Sequence, residues 1–199
     1  TTEIYTLSLH DALPISMEEL EAALEAVTVF GLPVCATMSF DTAGKTMMGI
    51  TPANLSIKAK DLGLLGFGAN CGIGASDLLA TITDISRNVD PDTTVIAKAN
   101  CGIPEFKDGA IVYTGTEKLM ADYVHLAMNS GAKIIGGCCG TTFGHIKAMR
   151  QAMDEHQMNG SPSMPDIEEK IGKMSKGSRA IFLGDDSTPV KKRRSRRSK

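Results

Sequence analysis

The sequence contains no tryptophan, few aromatic residues of any kind and no long hydrophobic run. Aromatic residues make up 5% of the 199 residues, whereas there are twenty glycines and eleven methionines. This composition fits an α/β protein with many tight turns between strands and helices. No apolar stretch approaches the roughly 18 residues that a membrane-spanning helix needs, so no membrane association is predicted.

Signals for secretion and for a disulfide scaffold are also missing. No secretory signal peptide is evident, and the five cysteines are odd in number and not spaced as in small secreted domains. We therefore expect reduced thiols and a cytoplasmic location. The absence of a Cys-x-x-Cys motif disfavours a redox protein. Gly72 and Gly74 form a turn rather than a phosphate-binding loop, because no Lys-Ser/Thr pair follows them.

The charges are unevenly distributed. Residues 191–199 carry seven of the 21 basic residues and no acidic residue, so the rest of the chain has a net charge of about −9. Like charges at this density repel each other and bury nothing, which predicts a disordered basic tail that serves solubility or binds within the molecule. Contact with RNA or another polyanion is the alternative, but nothing else in the sequence supports a nucleic acid partner.

Residues 1–16 are unlike the sequence that follows. They show no hydrophobic periodicity, join abruptly to an acidic helical stretch and resemble a translated sequencing adapter. We interpret them as a non-native segment and expect the natural protein to extend upstream of Met17. The remaining sequence divides into a folded domain over 17–159 and a linker with the basic tail over 160–199.

Strand and helix patterns alternate four times within the domain. Apolar runs predict strands over 32–40, 64–68, 94–99 and 133–135, and helical periodicity with N-cap signals predicts helices over 18–30, 52–62, 76–88, 117–130 and 143–159. Ser76, Thr116 and Thr142 are the predicted N-caps of the last three helices. A loop is expected over 102–116. Alternating strands and helices imply a parallel sheet with right-handed crossovers.

A short motif recurs at an interval of thirty residues. Residues 69–73 and 99–103 both read Ala-Asn-Cys-Gly-Ile, and each copy follows a predicted strand. Residues that recur at the C-terminal ends of strands are typical of the active-site rim of a (β/α)8 barrel. Four strand–helix units are half of such a barrel. We therefore predict an α/β fold that forms the C-terminal half of a TIM barrel.

Three cysteines form a candidate metal site. Cys138 and Cys139 follow the last predicted strand, and Cys71 follows an earlier one 67 positions upstream. Three protein ligands leave one position open on tetrahedral zinc, and that position could take a substrate thiol. The alternative is a set of small buried apolar residues beside a glycine turn.

Several motifs in order resemble the homocysteine S-methyltransferase family. The motif Gly-Gly-Cys-Cys-Gly-Thr over 136–141 follows an Asn-Cys pair about 65 residues upstream, and residues 37–49, 98–104 and 113–116 resemble further family signatures. The resemblance runs from about residue 17 to 153. Within the family it is strongest to bacterial betaine–homocysteine S-methyltransferases.

The resemblance implies a zinc-containing barrel over 17–159 that binds homocysteine. It assigns Cys71, Cys138 and Cys139 as zinc ligands and places Asn70 and Asn100 at the mouth of the barrel as substrate-binding residues. Asp41, at the end of a strand, is a further candidate for substrate binding or for capping its loop. Cys35 and Cys101 are not expected to be ligands, and His145 is expected on the surface. No residue is predicted to act as a catalytic acid or base.

The implied reaction transfers a methyl group to zinc-bound homocysteine and gives methionine, with betaine as the expected small donor. The alternatives are the homocysteine module of a cobalamin-dependent methionine synthase and a non-catalytic zinc-binding homologue. In the family, the acidic residues that hold the homocysteine amino group come from the first half of the barrel. No residue of this chain matches them, so we expect this half alone not to bind the substrate productively.

Overall fold

The computed structural model describes residues 16–41 and 43–185. Residues 1–15 of the segment interpreted as non-native, and the basic tail at 191–199, lie outside the described residues. The helices and strands follow in the order α1 (Met17–Thr28), β1 (Cys35–Met38), α2 (Pro52–Asp61), β2 (Gly66–Cys71), α3 (Ala75–Arg87), β3 (Thr94–Ala99), β4 (Pro104–Lys107), β5 (Ala110–Tyr113), α4 (Glu117–Asn129), β6 (Ala132–Gly137), α5 (Phe143–Asp154), α6 (Met164–Ile171) and α7 (Lys176–Phe182).

Four strands form one parallel sheet in the order β1-β2-β3-β6. Each strand therefore pairs with the next one along the chain, and the order never reverses as it does in a doubly wound sheet. Successive right-handed crossovers in one direction place the helices on the same face. This is the arrangement of half a (β/α)8 barrel, as the sequence predicts. Among the described strands, β1 and β6 each have a single hydrogen-bonded neighbour.

The core lies between the sheet and its helices. Met38, Ala69 and Ala97 are aligned across β1, β2 and β3 and are completely buried. On the helical side, α3 is buried along nearly its whole length, from Ala75 to Ile85, because it packs against the strands and against other helices. Burial of aligned apolar side chains fixes the register, since a shift of one residue would turn them to the other face.

Two local predictions are wrong. The expected loop over 102–116 contains the antiparallel hairpin β4–β5, whose turn is formed by Asp108 and Gly109, both with positive φ. An Asp-Gly pair of this kind matches the twist of the flanking strands. Ser76 is not an N-cap, because Gly74 occupies that position, and the buried Ser76 hydroxyl instead donates to the Lys173 carbonyl at 3.3 Å.

The prediction of a linker from residue 160 onward is wrong for residues 164–182. These residues form α6 and α7, whose Ile167 and Ile181 side chains are fully buried. Their apolar faces pack against α3 and α4. Arg179 and Glu168 pair at 2.7 Å between the two helices. Both helices thus belong to the folded domain.

Residue 16, the last of the segment interpreted as non-native, is the N-cap of α1. The Ser16 hydroxyl accepts a hydrogen bond from the Glu19 amide at 3.2 Å, and the Glu19 carboxylate accepts one from the Ser16 amide at the same distance. This reciprocal pair is a capping box, which stabilises the first turn of a helix. None of the helices in the described part of the chain is long and apolar enough to cross a membrane.

Candidate metal centre

Three thiols meet at the C-terminal edge of the sheet. Cys71 is the last residue of β2, and Cys138 and Cys139 directly follow β6. The Sγ atom of Cys71 lies 2.7 Å from that of Cys138 and 4.0 Å from that of Cys139, and the two neighbouring thiols are 3.9 Å apart. Within residues 16–41 and 43–185, this is the one cluster of three side chains able to hold a metal ion. The three residues that the sequence analysis assigns as ligands therefore lie together.

The backbone brings the thiols to this edge through an unusual conformation. Cys71 has a φ of 54°, a left-handed value that is rare for residues other than glycine. Strain of this kind persists where the surrounding structure enforces it, often at functional sites. The end of β3 enforces the position of the other two thiols. The Cys138 amide donates to the Ala99 carbonyl at 2.7 Å, and the Cys101 amide donates to the Cys139 carbonyl at 2.9 Å.

Asn100 connects the two loops that carry the thiols. Its side-chain nitrogen donates to the Gly72 carbonyl at 2.9 Å, and its side-chain oxygen accepts from the Cys139 amide at 3.2 Å. The residue is buried. Both polar atoms of this side chain are therefore bonded to the protein, and they position the two loops relative to each other. The contact of Asn100 with substrate stays a prediction.

Asn70 differs from Asn100 in leaving one polar atom unsatisfied. Its nitrogen donates to the Ser39 hydroxyl at 3.2 Å, whereas its buried side-chain oxygen has no hydrogen-bond partner in the described protein. A buried acceptor of this kind is costly unless something binds it. Asp41 is exposed in the loop after β1, next to Phe40, whose carbonyl lies beside Gly72. This loop therefore borders the end of β2.

The thiol cluster fits a zinc ion in chemistry and nearly in spacing. A zinc–sulfur bond of about 2.3 Å in tetrahedral geometry separates the sulfurs by about 3.8 Å. The 3.9 and 4.0 Å separations match this value, and the Cys71–Cys138 separation of 2.7 Å would have to widen by about 1 Å. Burial, followed by the hydrogen bond that Cys138 shares with Cys71 and the charge of the neighbouring thiols, raises the pKa of Cys138 to about 12. Without a metal ion, Cys138 thus keeps its proton at neutral pH.

His145 is not the surface residue that the sequence suggests. Its Nε2 lies 3.3 Å from the sulfur of the buried Cys101, and its Nδ1 accepts a hydrogen bond from the Thr142 amide at 3.0 Å. Since Nδ1 is an acceptor, Nε2 carries the proton and donates to Cys101. Burial raises the pKa of Cys101. This pair ties the start of α5 to the end of β3, and Cys101 stays outside the thiol cluster.

Tyr113 lies beside the cluster but was not among the predicted site residues. It is the last residue of β5, and its side chain lies next to Gly140, the residue that follows Cys139. Its ring lies so close to Gly140 that a Cβ atom there would overlap the Cβ and Cγ of Tyr113. The Asp-Gly turn of the hairpin was a signal in the sequence that could have placed Tyr113 at the end of a strand.

A cavity of about 640 Å³ lies at the opposite end of the sheet from the thiols, with Leu64, Phe67 and Thr94 among its lining residues. Active sites in this fold lie at the C-terminal ends of the strands, so the thiol cluster is the better candidate.

Comparisons with known proteins identify sequences and a solved structure that are similar to this chain. Residues 13–153 match the sequence model of the family described as homocysteine S-methyltransferase. Betaine–homocysteine S-methyltransferase 1 from Rattus norvegicus is 26% identical over 176 residues, which cover 81% of this chain and 42% of that protein; the Mus musculus protein gives the same values. The chain thus spans less than half the length of these relatives.

Among solved structures, the apo form of the homocysteine methyltransferase MmuM from Escherichia coli is similar in fold. Its TM-score is 0.55 at 19% identity, and the match covers 69% of this chain and 46% of that one. At this identity the similarity supports the fold alone. That fold is a TIM barrel, and this chain provides part of it.

Proposed function

The chain belongs to the homocysteine S-methyltransferase family, and we propose that it supplies the zinc-binding half of a barrel that methylates homocysteine to methionine. The observation that carries this proposal is the convergence of three thiols from two strand ends. Three ligands leave a fourth position for the sulfur of the substrate. When bound, zinc supplies a Lewis acid that keeps a thiol deprotonated at neutral pH.

The residues of this chain then have distinct roles. Cys71, Cys138 and Cys139 would hold the metal ion, and Asn100 fixes the relative position of the two loops that carry them. The unpaired side-chain oxygen of Asn70 is buried near the end of β2, which supports its predicted role in substrate binding. An oxygen acceptor there suits the ammonium group of an amino acid such as homocysteine. Methyl transfer to a thiolate needs no general base, so a catalytic His or Glu is not required of this half.

Betaine is the proposed donor because the curated relatives that match are named betaine–homocysteine S-methyltransferases. The chain spans 42% of their length and has four parallel strands in its main sheet. We therefore propose methyl transfer for a barrel with all eight strands, to which this chain contributes four. Zinc binding, by contrast, depends on residues that are all in this chain.

Metal analysis of single variants tests the metal centre. Purified chain should contain about one zinc ion, and Cys71→Ala, Cys138→Ala or Cys139→Ala should each remove it. Cys101→Ala is the matched control, because this cysteine is buried next to the cluster without belonging to it. Full zinc occupancy in the Cys138→Ala variant would refute the assignment.

The donor is tested separately with an eight-stranded barrel made by joining this chain to the first half of a homologous barrel. Methionine should form from homocysteine and betaine without added cobalamin. Turnover with methylcobalamin or methylfolate, but not with betaine, would refute the donor and leave the metal centre standing.

A further inference from the structure

A pair of histidines joins α4 to the segment that follows α5. The Nδ1 atoms of His125 and His156 lie 3.0 Å apart, and the two rings are tilted by 31° with their centres 5.3 Å apart. His125 lies one turn before the end of α4, and His156 directly follows Glu155, the C-cap of α5. Because α4 ends just before β6 begins, the pair lies near the N-terminal edge of the sheet, opposite to the thiols.

Two further contacts hold His156 in place. Its other ring nitrogen, Nε2, lies 3.3 Å from the sulfur of Met158. The Asn159 amide donates at 3.1 Å to the side-chain oxygen of Asn129, which lies one turn after His125 on α4. These contacts fix the segment after α5 along the end of α4 and keep the Nδ1 atom of His156 directed at His125. A contact to the second ring nitrogen is also what orients histidines that bind metal ions.

The spacing of the two Nδ1 atoms suits one metal ion. With metal–nitrogen bonds of about 2.0–2.1 Å, the separation of 3.0 Å gives an angle at the metal of about 95°. A tetrahedral zinc ion, with angles of about 109°, would hold the two nitrogens about 3.3–3.4 Å apart. Angles near 90° belong to square-planar and octahedral geometries, and nitrogen ligands in a square-planar or tetragonal site are typical of Cu2+ and Ni2+.

The surroundings of the pair favour a cation. The C-terminal ends of α4 and α5 both lie close to it, and the carbonyl groups at a helix C-terminus carry partial negative charge. The basic side chains nearest to the pair along these two helices, Lys118 and Arg150, form ion pairs with Asp122 and Asp154. Both histidines are half-buried, so water can reach the remaining coordination positions of an ion bound between them.

We propose that His125 and His156 form a second metal site, which binds a Cu2+ or Ni2+ ion through the two Nδ1 atoms and links α4 to the end of α5. The ion would take the place of the hydrogen bond between the rings. Imidazole ligands suit copper and nickel, whereas thiolates suit zinc, so the two sites differ in the ion they select. The histidine site is separate from the thiol cluster and does not depend on the proposed function.

Titration of the zinc-loaded full chain with Ni2+ tests this site, with the ring signals of the histidines followed by NMR. Octahedral nickel is paramagnetic and broadens the signals of the rings that bind it. We expect one equivalent of nickel to bind and the signals of His125 and His156 to disappear. The His145 signal should persist. Its ring lies 3.3 Å from the sulfur of Cys101, beside the thiol cluster, and therefore reports any nickel that enters there.

The variants His125→Gln and His156→Gln should each abolish nickel binding at this site. Glutamine can still form a hydrogen bond with the remaining imidazole, but it removes one of the two ligand nitrogens. Gln151→Ala is the matched control, because Gln151 lies in the last turns of α5 and its side chain bonds Glu155 at 2.9 Å, next to the pair. This variant should bind nickel as the native chain does.

Thermal unfolding provides a second measurement. Nickel should raise the Tm of the native chain and of Gln151→Ala, and leave the Tm of both histidine variants unchanged, because an ion that binds only the native state stabilises it. Persistence of the His125 and His156 signals in the native chain after nickel is added would overturn the proposal without any variant. Equal nickel binding by the native chain and His156→Gln would overturn it as well.

Discussion

Asn100 holds Cys139 through a hydrogen bond of 3.2 Å from the Cys139 amide to the Asn100 side-chain oxygen. The same side chain donates to the Gly72 carbonyl at 2.9 Å, next to Cys71. One buried amide, directly after β3, thus links the loop after β2, which follows Cys71, to the loop after β6, which carries Cys139. The Asn100 side chain does this without touching a sulfur atom.

Replacing Asn100 by Ala should therefore weaken zinc binding and leave the three cysteines in place. Loss of a residue that orients metal ligands typically reduces metal affinity by about 10- to 100-fold. Competition with a chromophoric chelator measures the change. Asn88→Ala is the matched control, because Asn88 also donates to a backbone carbonyl, that of Asp84 at 2.8 Å, but at the far end of α3. Equal zinc affinities in the two variants would contradict the prediction.

Zinc affinity should rise with pH between about 6 and 8. Burial and the neighbouring thiols raise the pKa of Cys138 to about 12, so the metal-free site holds this proton throughout that range. Binding as thiolate must release it, and each released proton increases the apparent affinity about tenfold per pH unit. Calorimetry in buffers of different ionisation enthalpy counts the protons. A flat pH dependence would show that no thiol proton is released on binding and would contradict the thiolate site as a whole.

Gly140→Ala should destabilise the protein more than Gly160→Ala. The two glycines have almost the same left-handed φ, 78° and 77°, so both variants bear a similar backbone strain of roughly 1–2 kcal/mol. Only at Gly140 would the added Cβ overlap Tyr113; around Gly160 there is open space. We expect an additional loss of about 1–3 kcal/mol at Gly140. Urea unfolding of both variants measures the difference, and equal midpoints would contradict the packing of Tyr113 described above.

Ile167→Ala should destabilise the domain by about 2–5 kcal/mol, as removal of a fully buried aliphatic side chain does. The prediction follows from the packing of α6 against α4. Met158→Ala, at a side chain that is 67% exposed, should stay within about 0.5 kcal/mol of the native protein. If residues after 160 were a loose linker, both variants would unfold at the same temperature.

The barrel-like order of strands and the thiol cluster could be predicted because both rest on local patterns. The apolar run over 94–99 matches β3 to the residue, and Thr116 is the N-cap of α4, accepting from the Leu119 amide at 3.1 Å. Cysteines placed just after two strands of a parallel sheet must share one edge. The positions of Cys71, Cys138 and Cys139 follow from that rule alone.

The contacts around the cluster could not be predicted in this way. Cys101 and His145 are 44 residues apart, and their contact depends on how α5 starts relative to β3. Whether the side-chain amide of Asn100 faces substrate or protein depends on the backbone of the loops that contain Gly72 and Cys139. For α6, a signal was present, since Ser163 and Asp166 form a capping box with Pro165 in the first turn, but the polar surroundings obscured it.

The 67-residue separation between Cys71 and Cys138 has a consequence for the time course of folding. Their sulfurs approach only after β3 has paired with both β2 and β6, and such long-range pairings form slowly. A complete thiol site therefore cannot nucleate the domain; it appears when the last parallel strand docks. Zinc uptake would then report the pairing of β6 with β3, and a chain newly made in a cell would compete for the metal only after that pairing.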